Sequence, residues 1–192
     1  MLKTWSSLLF LCFFLAACAG APPPKPQSEV PSATIPAEVK QKYQQAQRAM
    51  SEGRLENAGK ILKELTESHP KLAGPWANLG IVYRLQNEPE ASEQALKRSL
   101  ELNPQLVIAQ NHLAVLYRGQ GRFSEALEIY SAVLKQNPDD KNTHYNLAIL
   151  YELYLHRPKD AIKHYKKYMA LTGEEDEQVQ AWISQLQQEA SR

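Results

Sequence analysis

Gln44, Asn78, His112 and Asn146 recur at intervals of 34 residues. Three carry an amide and one an imidazole, side chains that both donate and accept hydrogen bonds. An extended peptide backbone offers the same two functions, so one such group per period forms a ladder able to hold it. The alternative is that the column is only a solvated polar face. Arg84 and Arg118 share the same spacing and would suit an acidic partner, although Met50 and Glu152, one period to either side, break the charge pattern.

Other chemistry is poorly represented. His156, Asp160 and His164 are metal-ligand types four residues apart, but Pro158 falls between them and interrupts any helix that would align them. They are read as loop and helix surface. The chain has no glycine-rich phosphate loop, nucleophile elbow or Cys/His metal pattern. No enzyme activity, cofactor, metal or small-molecule substrate is therefore expected. With 22 basic and 21 acidic residues the net charge is +1, which supplies neither a nucleic-acid footprint nor a polybasic membrane patch.

The elements that position these residues follow from the period. Pro70, Pro104 and Pro138 recur with it, as do Leu79, Leu113 and Leu147, and Tyr83, Tyr117 and Tyr151. Small residues occupy two further columns, Ala46, Gly80, Ala114 and Ala148 in one and Ala58, Ser92, Ala126 and Ala161 in the other. Trp76, Leu79, Gly80 and Tyr83 lie at i, i+3, i+4 and i+7, the stripe of one helix face. The segment Trp76 to Tyr83 matches W-x2-L-G-x2-Y, and with its period it resembles the tetratricopeptide repeat.

That resemblance implies an all-α superhelix of four helical hairpins, at 39–72, 73–106, 107–140 and 141–175, with a capping helix at about 175–190, all within a domain spanning 38–192. It also places the ladder column on the first helix of each hairpin, facing a concave groove. Small residues are needed where paired helices cross. Gly53, Gly121 and Asn87 are expected at the turns inside hairpins, where a left-handed conformation is required. The first unit is degenerate, with Lys42 and Gln45 in the Trp and Leu columns. In the fourth, Ala161 follows Ala126 by 35 residues, so one residue is inserted between Tyr151 and Asp160. Pro158 suits the first turn of the helix that follows. Thr172 and Glu175 have capping-box spacing, and Val179, Trp182, Ile183 and Leu186 form one apolar stripe.

Ahead of the repeats, Lys3 and the apolar run Leu8 to Ala17 read as a signal peptide over 1–17, too short for an ordinary membrane span. Leu15-Ala16-Ala17-Cys18 resembles the bacterial lipobox, implying cleavage before Cys18 and its lipidation. Residues 18–37 form a tether holding Pro22, Pro23, Pro24, Pro26, Pro31 and Pro36. Extended at about 3.1 Å per residue, it would hold the repeats up to roughly 50 Å from the lipid surface. Ala19 follows the cysteine where Asp would favour the inner membrane. The lipoprotein resemblance thus implies the periplasmic face of an outer membrane. The expected role is a non-catalytic scaffold or adaptor for protein partners in an envelope assembly serving pili or secretion, the cell wall or energy transduction. The alternative is a periplasmic peptide receptor or holdase that binds extended segments in the groove.

Overall fold

The computed structural model describes residues 35–173 and 176–189. The signal peptide, Cys18 and most of the tether lie outside them. Four helical hairpins follow one another: α1 Ala37–Ser51 with α2 Leu55–Ser68, α3 Ala73–Leu85 with α4 Pro89–Leu102, α5 Val107–Gly119 with α6 Phe123–Gln136, and α7 Lys141–Ile149 with α8 Pro158–Thr172. A π turn, Leu150–Tyr154, extends α7, and α9, Glu177–Glu189, closes the array. Among the described residues there is no strand, as the helical period requires.

Both small-residue columns are buried. Ala46, Ala114 and Ala148 on the first helices and Ala58, Ser92, Ala126 and Ala161 on the second have no exposed surface. The crossing is closest at Gly80, where a Cβ would stand 2.6 Å from Leu96 Cγ. Ser92 turns its place in the column to use by donating its hydroxyl to the Gly80 carbonyl at 2.7 Å. Ser99 does the same to Ala73 at 2.8 Å. These bonds satisfy hydroxyls that a close helix crossing would otherwise strip of water.

The helix ends obey local backbone rules. His69, Asn103 and Asn137 each precede a proline and take φ of −134°, −142° and −128°, outside the helical region. Gly53, Asn87 and Gly121 adopt φ of 72°, 62° and 77° at the turns within hairpins. In the fourth hairpin, where no glycine is present, His156 takes φ 51°. Pro89 and Pro158 begin α4 and α8, where a missing N–H costs nothing.

The Trp column has a function that its varied residue types hide. Trp76 Nε1, Gln110 Nε2 and His144 Nε2 each donate to the carbonyl of the proline six residues earlier, Pro70, Pro104 and Pro138, at 3.0, 2.9 and 2.9 Å. The three side chains differ in shape but share an N–H at the right reach. Each fastens the turn that joins one hairpin to the next.

Two of the apolar clusters straddle neighbouring repeats, and a third joins the last hairpin to α9. Leu62 and Leu65 pack with Leu79 and Val82 of the next hairpin. Leu96 joins Leu113, Tyr117 and Tyr130, and this cluster reaches Leu147 and Leu150. Burying one such leucine contributes about 1.5–3 kcal/mol. Val179, Ile183 and Leu186 of α9 close over Ala148, Ala161 and Tyr165, so the expected stripe is the cap. In the degenerate first unit Lys42 and Gln45 face solvent while Ala46 and Ala49 stay buried, as suits a terminal repeat.

Two details depart from the sequence reading. Thr172 does not cap α9: its hydroxyl donates back to Met169 at 3.0 Å, and Asp176 accepts from the Val179 amide at 3.1 Å instead. The α8 helix ends in Gly173 at φ 68°, which leaves Asp176 nearer to the start of α9. The inserted residue of the fourth unit is absorbed inside the helix, in the π turn, where the Leu155 amide bonds to the Leu150 carbonyl at 3.0 Å. A wider turn accepts one extra residue without shifting the register of Ala148 or Ala161.

Candidate functional site

The 34-residue ladder does not form a uniform polar face. Gln44 is exposed on α1, His112 and Asn146 are half-buried, and Asn78 is buried at 5% exposure. Asn78 Nδ2 donates to the Tyr43 hydroxyl of the preceding repeat at 3.0 Å. The expectation of a free groove amide at this position is thereby corrected, because a tyrosine from the neighbouring first helix reaches across and occupies it. Asn78→Ala is expected to lower stability by about 1–2 kcal/mol by leaving that half-buried hydroxyl without its donor. Urea denaturation checks it, and an unchanged midpoint would contradict the assigned bond.

One position earlier in the repeat, Asn111 makes the corresponding inter-repeat link. Its Nδ2 donates to Thr143 Oγ1 at 2.8 Å, and the Thr143 hydroxyl lies 2.6 Å from Asp140 Oδ1, which also caps α7 through the Thr143 amide at 2.8 Å. Sequence reading missed this network since Asn111 lies outside the 34-residue ladder. Likewise, His164 does not join His156 and Asp160. Its Nδ1 is 2.8 Å from His144 Nδ1, with Tyr151 stacked on its ring at 5.6 Å. A carbonyl can only accept, so the bond to Pro138 puts the His144 proton on Nε2, and His164 Nδ1–H donates to His144. Asp160 instead pairs with Arg157.

The two arginines behave differently. Arg84 and Arg118 come together on the first-helix face and line a cavity of about 370 Å³, with Val115, Leu116, Gly119 and Tyr154 among its other walls. Arg118 donates to the Asn146 carbonyl at 3.2 Å and lies 5.9 Å from the centre of the Tyr154 ring. Among the described residues neither arginine has an acidic partner. Burial lowers the Arg84 pKa, and the positive charge of Arg118 lowers it further. The imidazole of His112 is held near 4 by burial and then by Arg84, so it is neutral at pH 7. Tyr130, with no exposed surface, has its hydroxyl pKa raised by burial to about 12, an effect that Arg118 and Arg84 oppose. Arg84 Nε, His112 Nδ1 and Tyr130 Oη are all buried without a hydrogen-bond partner among the described residues. Such groups ordinarily find partners, and His112 and Tyr130 both lie within electrostatic reach of Arg84, which marks this place as chemically unfinished.

The column one residue after Arg84, Arg118 and Glu152 is apolar apart from one glycine. Leu85, Gly119 and Leu153 are spaced by 34 residues, and Leu85 and Leu153 are 50% and 58% exposed. Tyr154 is also exposed.

The repeat geometry agrees with independent comparisons. One tetratricopeptide-repeat model matches residues 73–106 and another matches 105–173, together just over half of the chain. The chain is a tetratricopeptide-repeat protein. Its repeats are similar to those of Pseudomonas aeruginosa PilF, at 19% identity and a TM-score of 0.72 over 80% of this chain and 69% of that one. MamA is similar at 23% identity and a TM-score of 0.59, over 69% of this chain and 72% of the other. YrrB, described as a TPR protein with an unusual peptide-binding site, is similar at 19% and 0.59, over 73% and 71%. These likenesses establish the tetratricopeptide fold alone. Among curated proteins no sequence matches.

Proposed function

We propose that this protein is a lipid-anchored, non-catalytic scaffold of a bacterial envelope assembly that holds a protein partner on its first-helix face. Tetratricopeptide domains bind proteins or peptides, and the observation that carries the reading here is the cavity lined by Arg84 and Arg118, with a buried, unpartnered Arg84 Nε and exposed leucines next in sequence to Arg84 and Tyr154. An assembly surface of this kind needs polar groups for register and apolar area for affinity. Cys18 supplies the anchor and the proline-rich stretch after it the reach. Ala19 directs the protein to the periplasmic face of an outer membrane. PilF and MamA have the same fold. The cavity equally suits a peptide receptor or holdase, which would bind many extended segments where a scaffold keeps one partner.

The anchor is tested by fractionating cells that carry wild-type protein or Cys18→Ser while feeding a labelled fatty acid. Wild-type protein is expected in the membrane fraction with label, and the variant in the soluble fraction without it. Attachment and labelling that survive the substitution would refute the lipid anchor. Capture from crosslinked wild-type cells then separates the two modes of binding: a scaffold yields a defined partner, a holdase a broad set.

A further inference from the structure

Arg84 and Arg118 stand one repeat apart at the ends of α3 and α5, on the wall of a single cavity, with no acidic side chain paired to either among the described residues. Elsewhere the protein pairs its arginines readily: Arg98 with Glu101, Arg122 with Glu93 and Glu125, and Arg157 with Asp160. Two partly buried guanidinium groups that repel one another are costly unless an anion joins them. We propose that this cavity binds the side-chain carboxylate of an aspartate or glutamate in an extended segment of the partner, with an apolar neighbour of that residue seated against Val115, Leu116 and Tyr154. This rests on the scaffold reading and names the partner's chemistry.

Three features favour a carboxylate within a peptide over a phosphate group. The fixed positive charge is confined to two guanidinium groups, because His112 stays neutral at pH 7. A carboxylate matches the planar fork of arginine and can accept from both residues at once. The apolar wall formed by Val115, Leu116 and Tyr154 would give a bare phosphate nothing, whereas a peptide brings an apolar side chain to it. Gly119 completes the case. It leaves open space where its column neighbours carry leucine, and a Cβ there would touch nothing within 4 Å. The missing side chain is what keeps the cavity accessible.

The test uses the full chain in detergent and two pools of fluorescent peptides, one with a single glutamate flanked by leucine, isoleucine or tyrosine, the other with glutamine in its place. Fluorescence anisotropy is expected to give at least roughly tenfold tighter binding of the acidic pool, the worth of one charge-assisted bond. Arg84→Gln should abolish that preference without lowering the melting temperature, since it removes an unpaired buried nitrogen. Gly119→Leu should block both pools by filling the cavity, and a leucine is a better helix former than glycine, so the fold is kept. Arg98→Gln, remote and ion-paired, should change nothing. Equal binding of the two pools, an acidic preference that survives Arg84→Gln, or displacement of the acidic pool by inorganic phosphate but not by acetate would overturn the carboxylate assignment. If no pool binds although crosslinking still captures a partner, the carboxylate site falls and the scaffold stands. If neither occurs, both fall.

Discussion

Leu96→Ala should destabilise the protein by about 2–5 kcal/mol, and in that background the further cost of Gly80→Ala should shrink. Leu96 is fully buried in the central cluster and lies against the backbone of α3 at Gly80. Truncating it removes buried methyl groups and leaves a cavity that rigid helices cannot fill. Gly80→Ala alone should cost about 1–3 kcal/mol, since its Cβ would sit 2.6 Å from Leu96 Cγ and 3.1 Å from the Leu96 backbone nitrogen. The first clash disappears with the leucine; the second remains. The double variant should therefore cost less than the sum of the two by about 1 kcal/mol without returning to wild type. Urea denaturation of the four proteins gives the cycle, and strict additivity would show that this crossing is looser than described.

The second large effect is on acid stability. His112 and His164 both have pKa values near 4 in the folded chain against 6.5 in an unfolded one. For His164 the causes are burial first, then the facing His144 and Lys163, with Asp160 opposing. Below pH 6.5 the unfolded chain takes up protons that the folded chain refuses. Stability is thus fully present above that value and is lost as pH falls toward 4. Complete burial would make the loss larger, but both rings keep some access to water, so about 3 kcal/mol for the two together is the reasonable scale. Glu125, held low by Arg122, and Asp139, held low by Lys167, act with the same sign only below their ordinary values of 4.5 and 3.8. Denaturation at pH 7 and pH 5 measures the difference, and His112→Gln should reduce it to the share of His164. Constant stability across that interval would contradict the burial assigned to these rings.

How much of this was legible in the sequence depended on whether backbone geometry or side-chain reach decided the matter. Helix crossings and turns are set by steric limits on single residues, so Ala114, Ser92, Gly53 and Asn87 announced their places through type and period. The site was only partly legible. Arg84 and Arg118 could be named because they recur, and His112 because it occupies the amide column. Tyr130 could not, since its role comes from lying on α6 behind two arginines of other helices. Asn78 misled because a column position tells which helix face a side chain is on and not what lies above it, which here is Tyr43. Gly119 held a signal that periodic reading could have used: glycine between Leu85 and Leu153 in one column is a local loss of bulk on an otherwise apolar line. The hydrogen bonds of Gln110 and His144 to proline carbonyls were hidden for the opposite reason, as unlike residues perform one task.

The first-helix face around the Arg84–Arg118 cavity is the proposed seat of the partner. Its most direct measurement is site-specific photocrosslinking in cells, with a photoreactive residue placed at Leu153 beside the cavity or at Glu101 on the exposed side of α4. The partner is expected to crosslink from position 153 and not from 101, and Arg84→Gln to remove the crosslink. A partner that crosslinks from 101 alone, unaffected by Arg84→Gln, would place the interface on the second helices and contradict it.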